Sequence, residues 1–172
     1  MKDYKINDPW DWVTRFEDEV AEYTGYRYGI ACDSNSNAIR LCLNYLNITD
    51  TDIEIPANTY VSVPNQIILS GNRPRFRDIK WKGLYPLGDT SIIDAATAFY
   101  KGMGRGYEDK FMIVSFHFKK ILNIGQGGMI LTNRPEFNEW ARPMIYDGRP
   151  VSYTHLRAHE TVLDLVCRLL LE

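Results

Sequence analysis

The sequence has little of what most quickly betrays a function. Its 172 residues include three cysteines and three histidines. Cys32, Cys42 and Cys167 have no metal-ligand or redox spacing and are odd in number. That excludes a disulfide scaffold and points to a reducing, cytoplasmic setting. No apolar run approaches the roughly 20 residues of a membrane span, and the polar start, Met1–Pro9, lacks the apolar stretch of a signal peptide. With 20 Lys+Arg against 22 Asp+Glu, there is no basic footprint for nucleic acid. The Gly-x-x-x-x-Gly-Lys phosphate loop is missing. What is present, 45% hydrophobic and 24% charged residues, suits one globular domain with a real core.

Two parts of the chain read differently. Residues 1–150 have ordinary globular patterning. Residues 151–172, from Val151 to Glu172, place Val162, Leu165, Val166, Leu169 and Leu170 at helical spacing. The same string also resembles, in one reading frame, translated sequencing-adapter DNA. The expectation is therefore a non-native tail, to be set aside like a fusion scar. His155, His159 and Cys167 then drop out as candidate ligands, leaving His117 as the one histidine.

In the first 150 residues, helices are expected over Trp10–Tyr23, Ala38–Leu46, Tyr60–Leu69 and Pro135–Tyr146. Strands are expected over Tyr26–Cys32, Asp52–Ile55, Pro74–Ile79, Thr90–Ile93, Phe111–Ser115 and Met129–Thr132. Lys101–Lys110, with three glycines, reads as a loop. This alternation predicts an α/β fold, a three-layer sandwich around a mostly parallel mixed sheet. Ligands of such sheets bind at the carboxyl ends of the strands. Ser34, Asp94 and Ser115 all fall at such ends.

Three constellations carry chemistry. Asp33-Ser34-Asn35-Ser36-Asn37 precedes a helix, where free N–H groups and hydroxyls suit a phosphate, or serve simply as an N-cap. Asp94 ends a buried strand and is followed by two alanines. Its carboxylate suits a ligand's ring nitrogen, or an N-cap. Ser115-Phe116-His117-Phe118-Lys119-Lys120 ends another strand, and Gly125-Gln126-Gly127-Gly128 follows. A lysine there, with a second cation beside it to depress its pKa, suits attachment to an aldehyde cofactor. A solvated basic turn is the plainer alternative.

In this order, the pieces resemble the DegT-like (DegT/DnrJ/StrS) sugar aminotransferases, which use pyridoxal 5'-phosphate. The resemblance runs over nearly all of residues 10–150. It implies an incomplete cofactor-binding large domain of a fold-type I aminotransferase. Ala31-Cys32-Asp33-Ser34-Asn35-Ser36 stands where the family has its Ser-Gly-Thr phosphate loop. Pro56-Ala57-Asn58-Thr59-Tyr60-Val61 matches the stretch whose aromatic residue, here Tyr60, stacks on the cofactor ring. Asp94-Ala95-Ala96 matches the Asp-Ala-Ala that holds the pyridine nitrogen, and Thr97 stands where many members have a glutamine on the phenolic oxygen. Ser115-Phe116-His117-x-x-Lys120 matches the segment with the Schiff-base lysine. Lys120, not Lys119, is thus the catalytic candidate, and Ser115 a phosphate contact.

The chain also departs from the family pattern. Asn35 replaces a glycine, Gln126 replaces a glutamate, a strand–helix unit is missing between Asp78 and Asp94, and there is no small C-terminal domain. The implied parent is a homodimer that moves an amino group, with glutamate the expected donor, to a keto-sugar nucleotide of cell-surface polysaccharide synthesis. Three alternatives stand beside it: a truncated domain without activity, a dehydratase-like or regulatory branch of the same fold, and a simple nucleotide-binding module.

Overall fold

The computed structural model describes residues 9–145. Val151–Glu172, expected to be an adapter-like tail or a helix, lies outside the described residues, as does Tyr146. The elements follow the chain as α1 (Pro9–Thr24), β1 (Tyr28–Cys32), α2 (Asn35–Tyr45), β2 (Asp52–Pro56), α3 (Ser62–Leu69), β3 (Arg73–Arg77), β4 (Tyr85–Pro86), β5 (Ile92–Asp94), β6 (Phe111–Ser115), β7 (Gly128–Thr132) and α4 (Pro135–Met144).

Period-2 alternation explains the layers, because strands β1, β5, β6 and β7 are apolar on both faces. Ile30, Ile92, Phe111, Ile113 and Ile130 point to one side. There they pack with Ala38, Ile39 and Leu43 of α2, Val63 and Ile67 of α3, and Phe137 of α4. Ile93, Met112, Val114, Met129 and Leu131 point to the other side, against Val20 and Ala21 of α1 and against Met103 and Phe116. Each such side chain contributes about 1.5–3 kcal/mol by leaving water. The result is helices, sheet and helix in three layers, as expected.

The main sheet has the order β1-β7-β6-β5-β4, and β2 and β3 form a separate pair. The sheet is mixed, but the expected mostly parallel pairing needs correction. Among the described residues, parallel pairing is confined to β5 with β6 and β2 with β3. The pairs β1–β7, β6–β7 and β4–β5 are antiparallel. Strand β7, which returns by a loop from β6 and slots between β6 and β1, accounts for two of these pairs, and the short strand β4 for the third. Helix α3 starts at Ser62 rather than Tyr60, and β4 was not expected at all.

Strand β1 forms one edge of the main sheet. Among the described residues, its open edge is closed by side chains rather than by another strand. Glu17 Oε1 accepts the Ala31 N–H at 2.7 Å, and Arg142 Nη2 donates to the Gly29 carbonyl at 3.2 Å. Arg142 Nη1 also meets both Glu17 oxygens, at 2.8 and 2.6 Å. An edge that would otherwise recruit a foreign strand is thereby satisfied internally. Burial pushes the Glu17 carboxyl above its ordinary pKa, against the opposing pull of Arg142 and the Ala31 N–H.

The β2–β3 pair is built differently. Ile53 and Ile55 face the core, while Asp52 and Glu54 face water. The arginines of β3 pair with them: Arg73 with Asp50 and Asp52, Arg75 with Asp52, and Arg77 with Glu54. These exposed pairs contribute about 0–1 kcal/mol each. They make that face a solvent surface.

Candidate active site

Strand register assembles the site. Asp94 lies opposite Ile113, Ser115 opposite Gly128, and Gly128 opposite Cys32. The carboxyl ends of β5, β6 and β1 therefore meet at one end of the sheet, beside the start of α2. Gly128 permits this approach. A Cβ there would stand 2.5 Å from the Asn35 nitrogen, inside any tolerable contact. The glycines of the Gly-x-Gly-Gly segment thus have distinct tasks. Gly125, with φ 92°, turns the chain, and Gly128 makes room for α2.

Asp94 is the centre, 4% exposed. Its Oδ1 accepts the Ala96 N–H at 3.0 Å and the Asn35 side-chain amide at 3.3 Å. Its Oδ2 accepts the Tyr85 hydroxyl at 2.7 Å. The same phenol meets the Thr59 hydroxyl. Burial, and after it the charge of Asp94, pushes the Tyr85 phenol well above its ordinary pKa. Tyr85 therefore stays a protonated donor across the neutral range. Sequence reasoning missed Tyr85 and Thr59 as members of this cluster. Strand β4 is two residues long, too short for any periodicity, and ends in a proline.

The start of α2 carries the phosphate candidates. Ser34 is the N-cap, its Oγ accepting the Asn37 N–H at 3.2 Å. Ser36 donates to Ser62 Oγ at 2.7 Å, bringing the first turns of α2 and α3 together. Two helix N-termini favour an anion here. Asp33 opposes it: its exposed carboxylate, bonded to Asn37 Nδ2 at 2.6 Å, sits at the same helix start.

The lysine segment is a closed loop between β6 and β7. Phe116 N–H donates to Gly127 O and Phe118 N–H to Gly125 O, both at 2.9 Å, and Lys120 N–H to His117 O at 2.8 Å. The two lysines differ. Lys119 is exposed, its Nζ 5.4 Å from the Phe118 ring centre. Lys120 is half-buried, and among the described residues its Nζ has no hydrogen bond or ion pair. Ser115 Oγ accepts the His117 N–H at 3.4 Å.

Of the residues singled out from sequence, Ser34, Asn35, Ser36, Asp94 and Ser115 gather at this end of the sheet, and Lys120 follows on the loop leaving Ser115. Tyr60 adjoins Thr59, but its ring is 74% exposed. Thr97 is not part of the Asp94 cluster: its hydroxyl donates to the Gly83 carbonyl at 3.0 Å. The donor set fits a pyridine cofactor. A carboxylate offers about four lone-pair directions, and three donors reach Asp94. The Asn35 bond is the longest, so it is the one most easily exchanged for a ring N–H.

The sequence matches the DegT/DnrJ/EryC1/StrS aminotransferase family over residues 6–87 and 83–163, the second match running past Pro150. A "Pleiotropic regulatory protein" of Geobacillus stearothermophilus is 25% identical over 197 residues, covering 90% of this chain and 53% of that protein. The UDP-2-acetamido-2-deoxy-3-oxo-D-glucuronate aminotransferase of Pseudomonas aeruginosa is 26% identical over 187 residues, covering 84% and 52%. The chain thus spans about half the length of these curated relatives. Both alignments are longer than the 172 residues of this chain, so the relatives carry residues it lacks. The crystal structure of NtdA from Bacillus subtilis with bound cofactor PMP shares the fold, with TM-score 0.67 and 20% identity over 78% of this chain and 40% of that one. Aminotransferases of this family depend on pyridoxal phosphate. With well over half of its residues matched, the chain belongs to the DegT/DnrJ/EryC1/StrS aminotransferase family.

Proposed function

We propose that this chain is the cofactor-binding part of an aminotransferase that moves an amino group, from glutamate by preference, to a keto-sugar nucleotide. The observation that carries the proposal is the buried carboxylate of Asp94 at the end of β5, beside a lysine loop that leaves β6 at the same end of the sheet. When bound, pyridoxal phosphate supplies an electron-withdrawing ring and an aldehyde. The remaining chemistry belongs to the protein. Asp94 would accept a hydrogen bond from the ring nitrogen and keep its proton in place. Tyr85 and the Ala96 N–H hold that carboxylate in one orientation. Ser34, Ser36, Ser115 and the first N–H groups of α2 bind the phosphate. Tyr60, exposed beside Thr59, would cover the ring, whereas the Thr97 hydroxyl is held by the Gly83 carbonyl. Lys120 would hold the aldehyde, and its amine, once released by the incoming amino group, would take and return the proton at the substrate carbon.

The intact protein is proposed to be a cytoplasmic homodimer serving cell-surface polysaccharide synthesis. Exposed Tyr60, Val61, Phe118 and Ile121 near the site suit cover by further chain or a partner. A second reading concerns the chain by itself. In it the chain, which spans about half of its relatives' length, would be a domain without activity of its own. The curated relative named a pleiotropic regulatory protein favours a third reading, a regulatory branch of the same fold.

One experiment separates these readings. The purified chain with pyridoxal phosphate and glutamate should release 2-oxoglutarate stoichiometrically, and the Lys120→Ala chain should release none. Cofactor binding without release supports the inactive domain or the regulatory branch. Equal release by both chains refutes the role of Lys120.

A further inference from the structure

Asn35 opens α2, yet its side chain does not cap the helix; Ser34 does that. The Asn35 amide turns inward instead, 8% exposed, and crosses to the sheet. Its Nδ2 donates to Asp94 Oδ1 at 3.3 Å and to the Ile113 carbonyl at 3.2 Å. The side chain therefore bridges the helix start, where the phosphate is proposed to bind, and the carboxylate proposed to meet the ring nitrogen. A cofactor held at both ends must lie along this same line.

We propose that Asn35 is a built-in stand-in for the cofactor ring: it satisfies Asp94 while the site is empty and is displaced when the cofactor enters. The inference rests on the proposed function and deepens it. A buried carboxylate left short of donors is costly, and the amide limits that cost. Both Asn35 bonds are long, so they are weak for contacts with buried acceptors. A ring N–H carrying positive charge makes a stronger, charge-assisted bond to the same oxygen. The exchange therefore runs toward the bound state, but against a competitor that a glycine at this position would not provide. The remaining donors to Asp94, Tyr85 and the Ala96 N–H, keep the carboxylate oriented throughout.

The test titrates the full chain, Asn35→Ala and Asn35→Ser with pyridoxal phosphate. Binding is followed by absorbance and by tryptophan fluorescence, and unliganded stability by urea denaturation. Serine keeps a polar group at the helix start but is too short to bridge to Asp94, so it serves if alanine folds poorly. Both variants should bind the cofactor about tenfold more tightly, the equivalent of one lost competing bond to a charged group. Both should also unfold at lower urea when unliganded. Unchanged or weaker binding by both variants, with the cofactor still attached to Lys120 in the original chain, overturns the stand-in alone. No binding by any of the three chains overturns the proposed function and the stand-in together. Binding by the variants but not by the original chain is the strongest form of support.

Discussion

Tyr85→Phe isolates the contact on which the geometry of Asp94 depends. The ring is 3% exposed and packs on Trp81 with centroids 4.8 Å apart, so phenylalanine preserves the packing. Only the hydroxyl is lost, with its 2.7 Å bond to Asp94 Oδ2 and its contact with Thr59. A hydrogen bond to a charged group contributes about 1.5–3 kcal/mol, and an unsatisfied buried acceptor costs a similar amount. Asp94 keeps the Ala96 N–H and Asn35, and half-buried Thr59 can turn to water. The expected destabilisation is therefore about 2 kcal/mol. With a urea m-value of about 1–3 kcal/mol/M, the midpoint should fall by roughly 1 M without a change in slope. The loss should also weaken cofactor binding, because the freed carboxylate can rotate. A midpoint shift under about 0.3 M would show that Tyr85 packs beside Asp94 without holding it.

Two further perturbations probe the frame and the phosphate end. Glu17→Ala strips the edge of β1 of its acceptor and leaves Arg142 unpaired. A fully buried pair would cost about 3–5 kcal/mol to break, but Arg142 is one-third exposed, so about 2–4 kcal/mol is expected in urea denaturation. A loss under about 1 kcal/mol would mean the pair is a surface contact. Glu17→Gln tests the pH dependence. Because the folded carboxyl titrates above its unfolded value near 4.5, its contribution is complete below that pH and is lost as pH rises through the folded value. The difference in midpoint between the Glu17→Gln variant and the original chain should therefore shift in favour of the variant as pH rises across that window. Asp33→Asn removes an exposed negative charge from the start of α2 while keeping an acceptor for Asn37. It should tighten binding of pyridoxal phosphate by about two- to fivefold at low salt, with the gain shrinking as salt is added. Unchanged affinity at low salt would place the phosphate elsewhere.

Local pattern carried much of the fold. The apolar runs of β6 and β7, the helical spacing of α1, α2 and α4, and the strand–helix alternation all lie in short windows, and their bounds fell within a few residues. The reversal of β7 did not show, since an apolar strand buried on both faces reads the same in either direction. The candidate site was legible as a set of residue types at strand ends, which singled out Asp94 and the pair Lys119-Lys120; the choice of Lys120 came from the family resemblance. The partners of those residues were not. Asn35 and Asp94 are 59 residues apart, and Glu17 and Arg142 are 125 apart. Such pairings depend on register and on the space a glycine such as Gly128 leaves, neither of which a periodicity encodes. Thr97 shows the converse. Its place in the motif suggested a ligand contact, yet the hydroxyl is used to fasten the Gly83 turn.

Lys120, rather than its neighbour Lys119, is proposed as the lysine committed to the cofactor. The most direct test incubates the chain with pyridoxal phosphate, reduces it with borohydride, and maps the labelled lysine by mass spectrometry. The account predicts a label concentrated on half-buried Lys120 and lost selectively in Lys120→Ala, with Lys119 unlabelled despite its greater exposure. A label on Lys119, or one spread over the surface lysines in proportion to their exposure, would contradict it.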